Sequence, residues 1–124
     1  MGERMKIILT SFGRKYGQIE ADIVLDVRCL ENPFWVSELK EKSGLDAEVR
    51  DYIFNNPKSA EYLRTLSQLM RLQAQLACER SCQELRIAVG CTGGRHRSVA
   101  VAEFLAKELS EYEVEVIHTD IGKG

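Results

Sequence analysis

The sequence has little proline, two residues in all, and no repeat, low-complexity tract or stretch that reads as an interdomain linker. At 124 residues, that argues for one domain, residues 1–124. It also has no apolar run near the ~20 residues a membrane-spanning helix needs. The start, "MGERMKIILTSFG", offers only "IIL", which is too short for a secretory signal. The expected location is therefore the cytoplasm, with no membrane partner. There are only two histidines, and the cysteines Cys29, Cys78, Cys82 and Cys91 lack a second Cys or His pair at zinc-finger spacing. No metal is expected, and the first three cysteines read as reduced thiols, some of them buried.

Charge of one sign is missing as well. The formal net charge of -2 gives no global attraction to nucleic acid. Its distribution is uneven. Leu85 to Ala102 holds Arg86, Arg95 and Arg97 and no acid, whereas Glu103 to Gly124 holds six acids and two lysines. A local positive site in a mildly acidic protein suits a small anion better than a long polyanion.

Hydrophobic patterning supplies the elements. "MKIILTSFG" and "ADIVLDVR" read as buried strands, each followed by turn residues. A short helix is expected over Ala47 to Phe54 with Asp46 as N-cap. A long one follows, capped by Asn56 with Pro57 in its first turn. Tyr62, Leu63, Leu66, Leu69, Met70, Gln73 and Leu76 fall near one face of it and read as core, with a subunit interface as the alternative. "ELRIAVGC" is a third strand, Ser98 to about Ser110 a third helix, and "EVEVIHTD" a fourth strand. This order predicts an α/β fold: a small, mostly parallel sheet of about four strands flanked by helices. Ligands of such sheets bind beyond the carboxyl ends of the strands. "SFGRKYG", "DVRCLENPFW" and "GCTGGRHRS" all emerge there.

The last of these, "GCTGGRHRS", has the makings of an anion site. A strand, a glycine-rich turn and a helix start leave N–H groups unpaired at the positive end of a helix dipole. Gly90, Gly93 and Gly94 permit an amide nest. Arg95 and Arg97 add charge, and Ser98 caps the helix or bonds a phosphate oxygen. His96 donates to a phosphate or sugar hydroxyl, or lies on the surface. The lysine of a Walker loop is absent. The same residues fit C-x-x-G-x-x-R-S, the loop of cysteine-dependent phosphatases, with Cys91 as nucleophile, Arg97 as phosphate clamp and Asp26 or Asp120 as acid. Gly90 stands where those enzymes carry histidine. Ser11, Arg14, Lys15 and Tyr16 either line a pocket or touch RNA. Trp35 is a pocket wall, an oligomer contact or a core residue.

"GCTGGRHRSV", taken with "SFGRKYG", "AD-x-V-x-DVR-x-L-x-NP-x-W" and "GLD-x-x-VRDY", resembles the C-terminal domain of the RNase adapter protein RapZ family over nearly the whole chain. In that family of nucleotide-binding proteins a Walker-type domain precedes this one, so the sequence is expected to be a stand-alone version. The resemblance implies a fold like the sugar-phosphate-binding part of phosphofructokinase. It implies a metabolite sensor for glucosamine-6-phosphate, self-association into a homo-oligomer, and RNA binding in the enterobacterial member. The matching site positions are Asp26, Cys91, Thr92, Gly93, Gly94, His96 and Arg97, with Ser98 adjacent. Arg28, Arg95, Asn32 and Phe34 join them as candidates. Phe34 replaces a histidine of the family pattern, and the tail "IHTDIGKG" lacks a basic run, which weakens the case for RNA. The expectation is a non-enzymatic regulatory domain that binds a phosphorylated small molecule and needs no cofactor. A phosphatase and an RNA adaptor are the alternatives.

Overall fold

The computed structural model describes residues 4–123. The elements run β1 (Lys6–Gly13), β2 (Ile23–Asp26), α1 (Ala47–Phe54), α2 (Pro57–Glu79), β3 (Glu84–Cys91), α3 (Arg97–Glu108) and β4 (Glu113–His118). Single turns of 3-10 helix cover Arg14–Tyr16 and Pro33–Trp35. The strands form one sheet in the order β2-β3-β1-β4, and every neighbouring pair is parallel. The expected α/β class is therefore present, with a wholly parallel sheet.

Strand periodicity decides which face the helices cover. Ile7 and Leu9 of β1 and Leu85, Ile87 and Val89 of β3 alternate onto one face. There they join Val49 and Ile53 of α1, Leu63, Leu66 and Met70 of α2, and Val101 and Leu105 of α3 in a single core cluster. The opposite face carries charge on the amino-terminal half of the strands. Lys6 pairs with Glu115 across β1 and β4 at 3.0 Å, and Glu84 pairs with Arg86 along β3 at 2.7 Å. A parallel sheet is usually covered on both sides, and here solvated ion pairs take the place of a second helix layer at that end.

Capping chemistry sets the helix bounds. Asn56 Oδ1 accepts the Ser59 N–H at 2.9 Å, and Pro57 occupies the first turn of α2 as expected. Asp46 does sit at the N-cap of α1, but its carboxylate accepts the Ser43 N–H behind it at 2.9 Å and caps no helical amide. Part of the expected α2 core is also corrected. Leu69 and Leu76 are half exposed, as is Leu72. The buried face runs through Ser59, Leu63, Leu66, Ser67, Met70 and Ala74, and each residue step turns the helix by about 100°. Leu69 and Leu76 lie one step off that face. Cys29, Cys78 and Cys82 are all exposed, against the expectation that some would be buried, and Cys91 alone of the four is buried.

The two sides of α2 should respond differently to truncation. Leu66→Ala should cost about 2–5 kcal/mol, and Leu72→Ala no more than about 0.5 kcal/mol. Urea unfolding of the two variants checks this, and equal costs would contradict the assigned helix face.

Candidate functional site

The carboxyl ends of β1 and β3 lie side by side, with Gly13 in register with Cys91. The chain leaving β3 then turns back under β1. Gly94 takes φ 77°, a left-handed conformation that glycine adopts without strain. A Cβ at Gly94 would also lie 2.5 Å from the Gly13 nitrogen and 2.9 Å from the Asp120 Cβ. Both its backbone angle and its surroundings require glycine. The Lys15 N–H donates to the Thr92 carbonyl at 3.2 Å, which ties the turn after β1 to the same loop.

The three basic side chains that follow do something the sequence does not announce. Arg97 is 5% exposed, and its Nη1 donates to the carbonyls of Arg28 at 2.8 Å and Leu30 at 3.4 Å. The Arg95 guanidinium donates to the Lys42 carbonyl at 3.2 Å and to that of Glu41. His96 Nε2 bonds the Lys40 carbonyl at 3.2 Å. The Gly44 N–H donates to the Arg95 carbonyl at 2.9 Å. All three side chains therefore bind the segment from Arg28 to Gly44 onto the start of α3.

That segment closes a cavity of about 300 Å³ over the glycine-rich loop, at the small end of the range for ligand sites. Cys91, Thr92 and Gly93 line it, with Arg95, His96 and Arg97, while Gly94 and Ser98 lie outside the lining. Lys15, Asn32, Phe34 and Trp35 line it as well. Trp35 is 79% exposed, so the core reading of that residue is corrected. Phe34 meets Trp35 edge to face at 5.1 Å. Lys40, Glu41 and Lys123 also line the cavity. No motif marks Lys40 or Glu41 in the sequence. They arrive because the Arg95 and His96 side chains hold their backbone in place.

Other expected residues stand elsewhere. Asp26 and Arg28 form an exposed bidentate pair at 2.7–3.1 Å outside the cavity lining. The Arg28 guanidinium holds the Asp26 carboxyl down at about 2. Ser11 is fully buried and bonded to His118 Nδ1 at 2.6 Å, so it is no surface contact; His118 Nε2 in turn meets Glu103 at 2.8 Å. Arg14 is exposed and outside the lining. Tyr16 lies at the rim, with the Lys15 and Lys123 ammonium groups 5.3 and 4.9 Å from its ring. Ser98 is not the helix cap. It lies in the first turn of α3, fully buried, and accepts from the Cys91 thiol at 3.2 Å. The Gly94 N–H points at that same sulfur at 3.3 Å.

Asp120 is 5% exposed, and its Oδ2 accepts the Gly13 N–H at 2.8 Å. Burial works to raise its pKa, but the Gly13 N–H and the Lys123 ammonium outweigh burial and hold it below the usual value. Burial has the larger say at His96 and lowers its pKa from 6.5, against the opposing pull of the Lys40 carbonyl. The unfolded chain then binds the extra proton first. Its contribution makes stability rise with pH below about 6.5 and drop away as the pH falls. An NMR titration, with His96→Gln to assign the signal, should place the His96 midpoint below 6.5. A midpoint at or above that value contradicts the buried neutral ring.

A "Nucleotide-binding protein" of Saccharopolyspora erythraea is 44% identical over 124 residues, covering 97% of this chain and 42% of its own length. One of Pediococcus pentosaceus, with the same name, is 48% identical over 123 residues, with 97% and 41% covered. One of Rhodococcus erythropolis is 43% identical over 123 residues, with 96% and 41% covered. The chain thus spans about two fifths of the length of these relatives. The family model described as the RapZ C-terminal domain matches residues 5–122, and the chain belongs to that family.

Proposed function

We propose that this domain is a non-enzymatic regulatory module that binds a phosphorylated metabolite in the cavity at the strand ends. An amino-sugar phosphate such as glucosamine-6-phosphate is the leading ligand. One observation carries the reading: Cys91, Thr92 and Gly93 of the glycine-rich loop line one open concavity together with three exposed lysines, Lys15, Lys40 and Lys123. In this reading the Thr92 and Gly93 amides, near the start of α3, supply the anion cradle. Among the described residues Glu41 is the one acid in the lining, available to receive an ammonium group. The exposed Trp35 offers an apolar face to a sugar ring.

Phosphatase chemistry is less well served. The Cys91 thiol is 2% exposed and sits between Ser98 and the Gly94 N–H. Asp26 lies outside the cavity lining, and Asp120, held below its usual pKa, is an ionised carboxylate and a poor proton donor at neutral pH. RNA binding calls for an extended cationic surface, whereas these cations surround a small concavity.

A panel of sugars and sugar phosphates in a thermal melt tests the reading. At about 100 times Kd a ligand of the folded state adds about 2.7 kcal/mol, a rise of several degrees in Tm. Glucosamine-6-phosphate should raise Tm, glucosamine should not, and 31P NMR should show the ester intact afterwards. Glu41→Gln should narrow the preference for glucosamine-6-phosphate over glucose-6-phosphate. No rise with any phosphate ester at millimolar concentration contradicts the proposal.

A further inference from the structure

Lys123 and Asp120 belong to a segment that no motif of the glycine-rich loop includes, yet they meet at the cavity. The segment is anchored at its base. Both the N–H and the hydroxyl of Thr119 donate to the Ser11 carbonyl, at 3.1 and 2.6 Å. Asp120 then turns inward, and its two carboxylate oxygens divide their work. Oδ2 accepts the Gly13 N–H at 2.8 Å, directly behind the Gly94 turn. Oδ1 meets the Lys123 Nζ at 2.7 Å. The Lys123 N–H closes the turn onto the Asp120 carbonyl at 3.1 Å.

The Lys123 ammonium is thereby held at the cavity mouth. It carries three donors. One goes to Asp120, a second side faces the Tyr16 ring at 4.9 Å, and the residue lines the cavity. Among the cations there, the Arg95 and Arg97 guanidinium groups are bonded to backbone carbonyls. A lysine fixed by a buried carboxylate is a better-placed partner for a ligand's anionic group than a solvated one, because less side-chain freedom is lost on binding.

We infer that Lys123 is an anion-binding residue of this cavity and that Asp120 is its positioning residue. Through its other oxygen Asp120 also holds the end of β1 behind the glycine-rich loop, so one carboxylate sets both the rear and the rim of the site. This inference rests on the proposal that the cavity takes a phosphate ester.

Calorimetric titration of the whole chain with glucosamine-6-phosphate, and separately with inorganic phosphate, tests it. Lys123→Ala should weaken binding about ten-fold, the loss expected for a charge-assisted hydrogen bond, while the ligand-free protein, somewhat less stable for the loss of the Asp120 pair, still melts cooperatively. Lys123→Arg should keep most of the affinity. Asp120→Asn preserves an oxygen for the Gly13 N–H and removes the charge that holds Lys123, so it should weaken binding too. The double variant Asp120→Asn with Lys123→Ala should be no weaker than Lys123→Ala alone, since the two act as a unit. Wild-type binding with Lys123→Ala within about two-fold of it overturns this inference and leaves the ligand reading standing. Wild-type protein that binds neither probe overturns both.

Discussion

The buried Arg97 guanidinium, bonded to the carbonyls of Arg28 and Leu30, is the constraint on which the site depends. It sits at the first position of α3, where the helix dipole is unfavourable to a cation. Burial adds a desolvation cost. Carbonyl oxygens from a segment far away in sequence offset both. The arrangement is stable only while that segment stays folded back over the loop, so the cation and the segment hold each other. Arg95 and His96 repeat the device a few residues further along, onto the carbonyls of Lys40, Glu41 and Lys42.

A division of labour follows. The side chains that look most like phosphate ligands build the cavity wall. In the proposed reading, the groups left for the anion are backbone amides of the loop and the lysines of the lining. The amides are fixed by the Gly94 turn, which tolerates no side chain, and by the approach of Gly13 from β1. Asp120 stands behind that contact as an ionised acceptor. Negative charge at the rear of an anion site is unfavourable at long range, and the Lys123 ammonium beside it offsets that charge.

The fold was legible in the sequence wherever periodicity or capping acted locally. The bounds of α1 and the Asn56–Pro57 start of α2 are of this kind, as is the convergence of three loops at one sheet edge. Leu69 and Leu76 fall outside the core because leucine spacing alone does not show which arc of a long helix the sheet reaches. In the site, the glycine-rich loop was legible from residue types. The roles of Arg95 and Arg97 were not, because their partners are backbone carbonyls, which leave no trace in residue identity. Lys40, Glu41 and Lys123 were silent for a related reason: their place at the cavity is set by topology and by contacts to residues distant in the chain.

The central claim is that loop amides receive the anion while the arginines serve as braces. Backbone amide chemical-shift mapping during titration with a phosphate ester tests it most directly. The account predicts the largest changes at Thr92 and Gly93, with smaller ones at Lys15, Lys40 and Lys123. Changes centred on Asp26, Arg28 and Arg14, with the glycine-rich loop unmoved, would contradict it.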